Sequence, residues 1–254
     1  MRLAPPPPRL SLRSAPPLSK PDRKLRRVVQ LAVTASVLAA AFSLATQPRP
    51  DRLQEVLSQM DAASARFHSA EADIRKEHFE KLVSDTSTDT GTVYFLRSGG
   101  SMQLGAKFNP PDAKTLEYKD GKGRLYTAGT NHIDEFSASG ANQAKFETFI
   151  TLGFGGSGAD LKKQWTISDL GTEQMKDGGN PVPVEKLDLV SKDPSARANY
   201  SHVTIWVDPV RDVTLKQEFF APDGNTDTAI YTNIRLNPAI DLKAFAIKCQ
   251  GKCS

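Results

Sequence analysis

Histidine and cysteine are scarce in this chain, with four and two residues among 254. His68, His78, His132 and His202 are scattered and lack the spacing of metal ligands, so they read as surface or satisfied strand residues. The glycine run Gly153 to Gly158 is followed by no Lys-Ser/Thr pair, which removes a phosphate loop and leaves a flexible hinge. No serine sits in a nucleophile elbow. Glu71 and Asp73 share one strand face by period two, as solvated charges do. Together these absences predict a protein that is no enzyme and holds neither cofactor nor metal. The charge excess is also small, 33 Lys and Arg against 29 Asp and Glu. Arg2, Arg9, Arg13, Lys20, Arg23, Lys24, Arg26 and Arg27 face the single acid Asp22, so the rest of the chain is mildly acidic. A nucleic-acid site needs its basic patch on the folded domain, so none is expected.

Acids are missing from the first 21 residues, where Pro5 to Pro8, Pro16 and Pro17 favour extended chain. Residues 1–22 read as a Pro-rich, basic cytoplasmic region, and residues 23–45 as a signal peptide or a membrane anchor. In the second segment Arg23-Lys24-Leu25-Arg26-Arg27 precedes the uncharged run Val28 to Ala45, which ends in the small-x-small pattern Ser43-Leu44-Ala45. That run is slightly shorter than the roughly 20 residues that span a bilayer, which favours cleavage over retention. Either way residues 46–254 are expected on the far side of the membrane as one domain. The run holds no cysteine, so it offers no lipidation site. Cys249 and Cys253 are expected to close a small disulfide loop in an oxidising compartment, since two thiols alone leave a tetrahedral metal site half filled.

Leu53, Val56, Leu57 and Met60 fall at i, i+3, i+4 and i+7 and predict an amphipathic helix at 51–65. Phe146, Phe149 and Ile150 predict a second over 142–152, and a helical turn is expected at 159–163. Between and after them lie short alternating segments: 67–83, 91–97, 101–108, 115–119, 124–127, 132–136, 165–170, 184–191, 202–208, 214–220, 228–236 and 245–248. Turn residues such as Asp120-Gly121, Asp208-Pro209 and Asp223-Gly224 separate them, as in an antiparallel meander. No internal repeat is present.

The order of these elements resembles the LolA-like family of periplasmic lipoprotein carriers over residues 51–248. The resemblance rests on the opening helix followed by Phe67-His68-Ser69, on Gly91-Thr92-Val93-Tyr94-Phe95-Leu96-Arg97, and on Leu116-Glu117-Tyr118-Lys119-Asp120-Gly121. Ile205-Trp206-Val207-Asp208, Asp223-Gly224-Asn225-Thr226 and Ile234 to Ile247 continue it. It implies a mainly β (α+β) fold: an unclosed, strongly curved antiparallel half-barrel covered by lid helices. It also implies a periplasmic monomer that carries acylated lipoprotein or lipid between an inner-membrane donor and an outer-membrane acceptor. Arg97 falls on the family's basic residue that latches the lid through backbone carbonyls. Ser98 follows it where the family usually has proline, and Cys249-Gln250-Gly251 stands where a Pro-Gly pair is common.

Burial of hydrocarbon contributes about 0.8 kcal/mol per methylene, enough to hold even three acyl chains without a charged contact. The candidates for the apolar wall are Tyr94, Leu96, Met102, Leu104, Leu116, Tyr118 and Trp206, with Phe146, Phe149 and Ile150 on the lid. A one-residue change of register would invert the strand part of this list. The alternative on the same scaffold is a membrane-anchored periplasmic sensor or regulatory domain.

Overall fold

The computed structural model describes residues 50–98, 101–137, 152 and 154–253. The expected n-region, the signal or anchor segment, and Phe146, Phe149 and Ile150 lie outside those residues. Helix α1, Pro50–Ser64, forms where the apolar spacing places it. Val56, Leu57, Met60 and Ala63 are each at most 5% exposed, while Glu55 and Ser58 face solvent. Its buried stripe packs on Leu187, Leu189, Val203 and Ile205 of the sheet.

Eleven strands are present among the described residues. They are β1 Ser69–Glu80, β2 Asp85–Ser98, β3 Ser101–Phe108, β4 Lys114–Lys119, β5 Lys122–Thr127, β6 His132–Ser137, β7 Trp165–Asp177, β8 Asn180–Ser191, β9 His202–Asp208, β10 Val213–Phe220 and β11 Thr226–Leu236. They make one antiparallel sheet in the order β6-β5-β4-β3-β2-β1-β11-β10-β9-β8-β7. Strands β6 and β7 are its two edges, so the sheet does not close. Its centre is the pairing of the first strand with the last, from Ala70↔Leu236 to Phe79↔Thr226. The fold is therefore a mainly β, unclosed half-barrel with helices on its inner face.

Period-two alternation assigns the faces. Phe95 lies across from Leu104 and Leu104 from Tyr118, while Ile74 lies across from Tyr231, so these side chains share the inner face. Helix α2, Gly158–Gln164, is capped by Ser157, whose side chain accepts from Asp160 N. It meets α1 where Gly158 has no side chain, since a Cβ there would fall 2.2 Å from Leu57 O. Gly158→Ala is expected to push the helices apart and cost about 1–3 kcal/mol, read as a lower urea midpoint at unchanged m-value. A third short helix, α3 Pro194–Arg197, starts from Asp193.

Several sequence expectations change; β2, for one, starts at Asp85 rather than at Gly91. The hairpin of β7 and β8 is longer than expected because its turn is Gly178-Gly179, both at positive φ (56° and 84°), a geometry suited to a two-residue hairpin. No strand forms at Phe245–Lys248. The alternation of Phe245 and Ile247 serves instead to pack a strap on the outer face of the sheet. Phe245 meets Tyr94 edge-on at 4.7 Å between ring centroids, and Ile247 N donates to Glu117 Oε1 at 2.7 Å. The strap ends in a disulfide between Cys249 and Cys253. Asn131 clips that loop, donating from Nδ2 to Gln250 O and Lys252 O while its Oδ1 accepts from Gln250 N.

Candidate functional site

The inner face carries two neighbouring features. The first is a cluster around Arg97, at the end of β2 and on the same face as Val93 and Phe95. Its Nη1 donates to Ser64 O at 2.6 Å and Phe67 O at 3.2 Å. Its Nη2 donates to Gly155 O at 2.6 Å and Ser64 Oγ at 3.2 Å. The guanidinium lies 5.4 Å from the centre of the Phe67 ring. One planar cation thus joins the C-terminal end of α1 to the segment leading into α2. Only glycine suits position 155: its φ is +73°, and a Cβ would stand 2.5 Å from the Phe67 ring.

Asp212, in the turn between β9 and β10, completes this cluster. Its backbone oxygen accepts from Gly155 N at 3.2 Å. Its side chain is nearly sealed, at 2% exposure, and Oδ2 has no hydrogen-bond partner. Burial pushes this carboxyl up to about 8; the Arg97 charge pulls against that shift and Asp61 adds to it. Asp61 is itself engaged, accepting from Ala159 N at 2.9 Å.

The second feature is a cavity of about 410 Å³ over β1 to β6, β10 and β11, with Tyr200 from the segment before β9. Phe95 and Tyr231, each 1% exposed, form its deep wall. Phe154 backs both, at 4.2 and 5.1 Å between ring centroids. Val93, Leu104, Leu116 and Phe108 line the flank, and Lys76, Asp89, Lys114 and Asp227 stand at its more exposed end. Taking roughly 30 Å³ per methylene, the volume that one water occupies in the liquid, it holds about 14 methylenes. That is room for at least one acyl chain. No His/Cys/Asp/Glu group able to hold a metal occurs among the described residues.

The structure brings some of the expected wall residues together and separates others. Leu104 and Leu116 line the cavity. Tyr118 is buried in the same core, and Met102, across from Arg97, packs against it. Tyr94 and Leu96 alternate with Phe95 and Arg97, so they face outward; Tyr94 lies under Phe245. Trp206 also points outward, opposite Ile205. It sits between Lys186 and Lys216, whose Nζ atoms are 4.9 and 4.2 Å from its ring centre, and Nε1 donates to Glu173 Oε2 at 2.8 Å. Phe95, Tyr231, Ile74, Val93 and Phe108 are among the lining residues absent from the sequence candidates. The signal for Phe95 was parity with Arg97: a wall on the face of the clamp takes the odd-numbered residues of β2.

No family model matches the chain, and no curated protein matches it in sequence. Similar solved structures exist. MucB superposes with a TM-score of 0.50 at 12% identity, covering 82% of this chain, which spans 66% of the MucB chain. A DUF1329 family protein from Desulfovibrio piger has 13% identity and a TM-score of 0.43, covering 79% of this chain and 98% of its own. A LolA superfamily protein from Nitrosomonas europaea has 14% identity and a TM-score of 0.36, with coverage of 76% and 97%. At this identity the likeness to MucB is one of fold alone. A shared fold does not carry the ligand with it, so function has to come from the cavity.

Proposed function

We propose that this chain is a non-catalytic binding protein of the bacterial envelope. It holds an acyl chain of a lipoprotein or lipid on the inner face of the half-barrel and carries it through the periplasm toward the outer membrane as a monomer. The observation that supports this most is the cavity itself: aromatic and aliphatic walls closed at depth by Phe95, Tyr231 and Phe154, with charge confined to one end. Each buried methylene contributes about 0.8 kcal/mol, so one chain supplies enough for tight and reversible binding. Arg97 fits a latch on this reading, because its bonds to Ser64 O, Phe67 O and Gly155 O join backbone segments that a moving lid would separate. An inner-membrane donor and an outer-membrane acceptor would engage it transiently.

The test is organic extraction of protein purified from its native envelope, followed by mass spectrometry. Acylated material near one equivalent is expected, and a reproducibly empty protein would overturn the reading. Ala229 lines the cavity and is 3% exposed, so Ala229→Phe should fill the space. It is expected to weaken displacement of a fluorescent fatty-acid probe by about tenfold or more, at some cost in stability from overpacking. A second reading, a membrane-anchored regulatory domain, draws on the likeness to MucB, a protein solved in complex with MucA. On that reading segment 23–45 is retained in the membrane.

A further inference from the structure

The polar end of the cavity goes further than a general affinity for hydrocarbon. Two of its charges are acids, and both are compensated. Asp89 pairs with Lys114 at 3.9 Å. Asp227 Oδ1 lies 2.9 Å from His78 Nδ1, and its Oδ2 accepts from Tyr200 Oη at 3.5 Å. The bond to Asp227 also raises the pKa of His78, which keeps its proton and offsets the carboxylate over a wider pH range. Lys76 is different. It stands on the inner face of β1 across from Asp89 and lines the same cavity, yet it makes no ion pair among the described residues, because Asp89 is turned to Lys114. An apolar cavity with room for a chain therefore ends at one uncompensated cation.

The geometry points to a single-chain anionic amphiphile as the ligand, with its chain against Phe95 and Tyr231 and its carboxylate or phosphate on Lys76. This rests on the reading of the cavity as an acyl site and narrows it in two respects, chain number and head charge. A neutral head leaves Lys76, which is solvent-exposed at the rim, to water alone. Lys114 is near enough to the same rim to shift from Asp89 toward the bound anion, which would give a carboxylate or phosphate two donors.

Titration calorimetry on the full chain tests this with four probes: palmitate, 1-palmitoyl lysophosphatidate, 1-hexadecanol and a tripalmitoylated lipopeptide. Palmitate or the lysophosphatidate should bind one to one, and at least about tenfold more tightly than hexadecanol, the factor that about 1.4 kcal/mol represents. Whichever of the two binds more tightly identifies the head as carboxylate or phosphate. Lys76→Met should bring the anion down to the affinity of hexadecanol and leave hexadecanol itself unchanged. Equal binding of palmitate and hexadecanol, or an anion affinity indifferent to Lys76→Met, would overturn the head-group site. Binding of the lipopeptide alone would overturn the single-chain assignment while leaving the acyl-carrier reading in place. Binding of none of the four would overturn both.

Discussion

Raising the pH from 5 to 8 will weaken this fold, and Asp212→Asn will remove much of that loss. The sign follows from where the proton sits. Folded Asp212 keeps its proton up to about 8, whereas an unfolded aspartate releases it near 4. Between those values the native state binds one more proton than the unfolded chain, so stability falls as pH rises. The contribution is fully present below about pH 4 and is lost once the pH passes the folded value. One such group gives a slope of at most about 1.4 kcal/mol per pH unit, a few kcal/mol over the window. His78 has the same sign, because Asp227 raises its pKa too, and the asparagine variant isolates the share of Asp212. Asparagine suits the site, since residue 212 has φ +55° and asparagine tolerates that region better than most residues. Urea melts at pH 5, 6, 7 and 8 decide the matter: parallel curves for wild type and variant would show that Asp212 is not the source.

Arg97→Leu is expected to cost about 3 kcal/mol and to expose apolar surface. Ser64 O, Phe67 O and Gly155 O all lose a charged donor, and hydrogen bonds to charged groups contribute about 1.5–3 kcal/mol each before partial replacement by water. Arg97→Lys should recover only part of the loss, because one ammonium cannot match a planar fork with several acceptors. The stability loss alone would fit any buried arginine. A latch predicts more: brighter fluorescence of an apolar-surface dye in the native baseline and faster release of bound fatty acid. Unchanged dye binding and release would leave Arg97 as a fastener without a gate. With the cation gone, the Asp212 carboxyl should titrate higher still, so the pH slope of the double variant separates the two residues.

Much of the fold was legible because its elements are amphipathic. The stripe Leu53, Val56, Leu57, Met60 could form only a helix with one buried face, and Val203, Ile205 and Val207 alternate cleanly on β9. Arg97 stood out through the resemblance to the LolA-like family together with its place at a strand end, where an ordinary solvated arginine would look the same. The inner wall was harder. Trp206 looks apolar in sequence, but its indole N–H finds Glu173 and its ring finds two lysines on the outer face. Tyr94 and Leu96 are one residue out of phase with Arg97, and period two sends such neighbours to opposite sides. The strap could not be foreseen as such, because Phe245 and Ile247 alternate as strand residues do. Its course depends on Gly105, where a Cβ would stand 2.2 Å from the Tyr94 ring that Phe245 covers. Asp212 gave no signal at all, since burial of one turn residue is a property of the assembled fold.

The central pairing of β1 with β11 bears on how the chain reaches its folded state. Ala70 must meet Leu236, and this contact joins the two halves of the sheet. Contacts so distant in sequence cost loop-closure entropy before they return any stabilisation, and they slow folding. A chain emerging N-terminus first presents β1 to β6 as a meander with the far edge of β1 unpaired until nearly all the remaining residues have followed. An exposed edge of that kind recruits other strands. The half-barrel is thus a structure whose last strand closes its first seam, and a newly delivered chain would gain from a chaperone that covers β1 until β11 arrives.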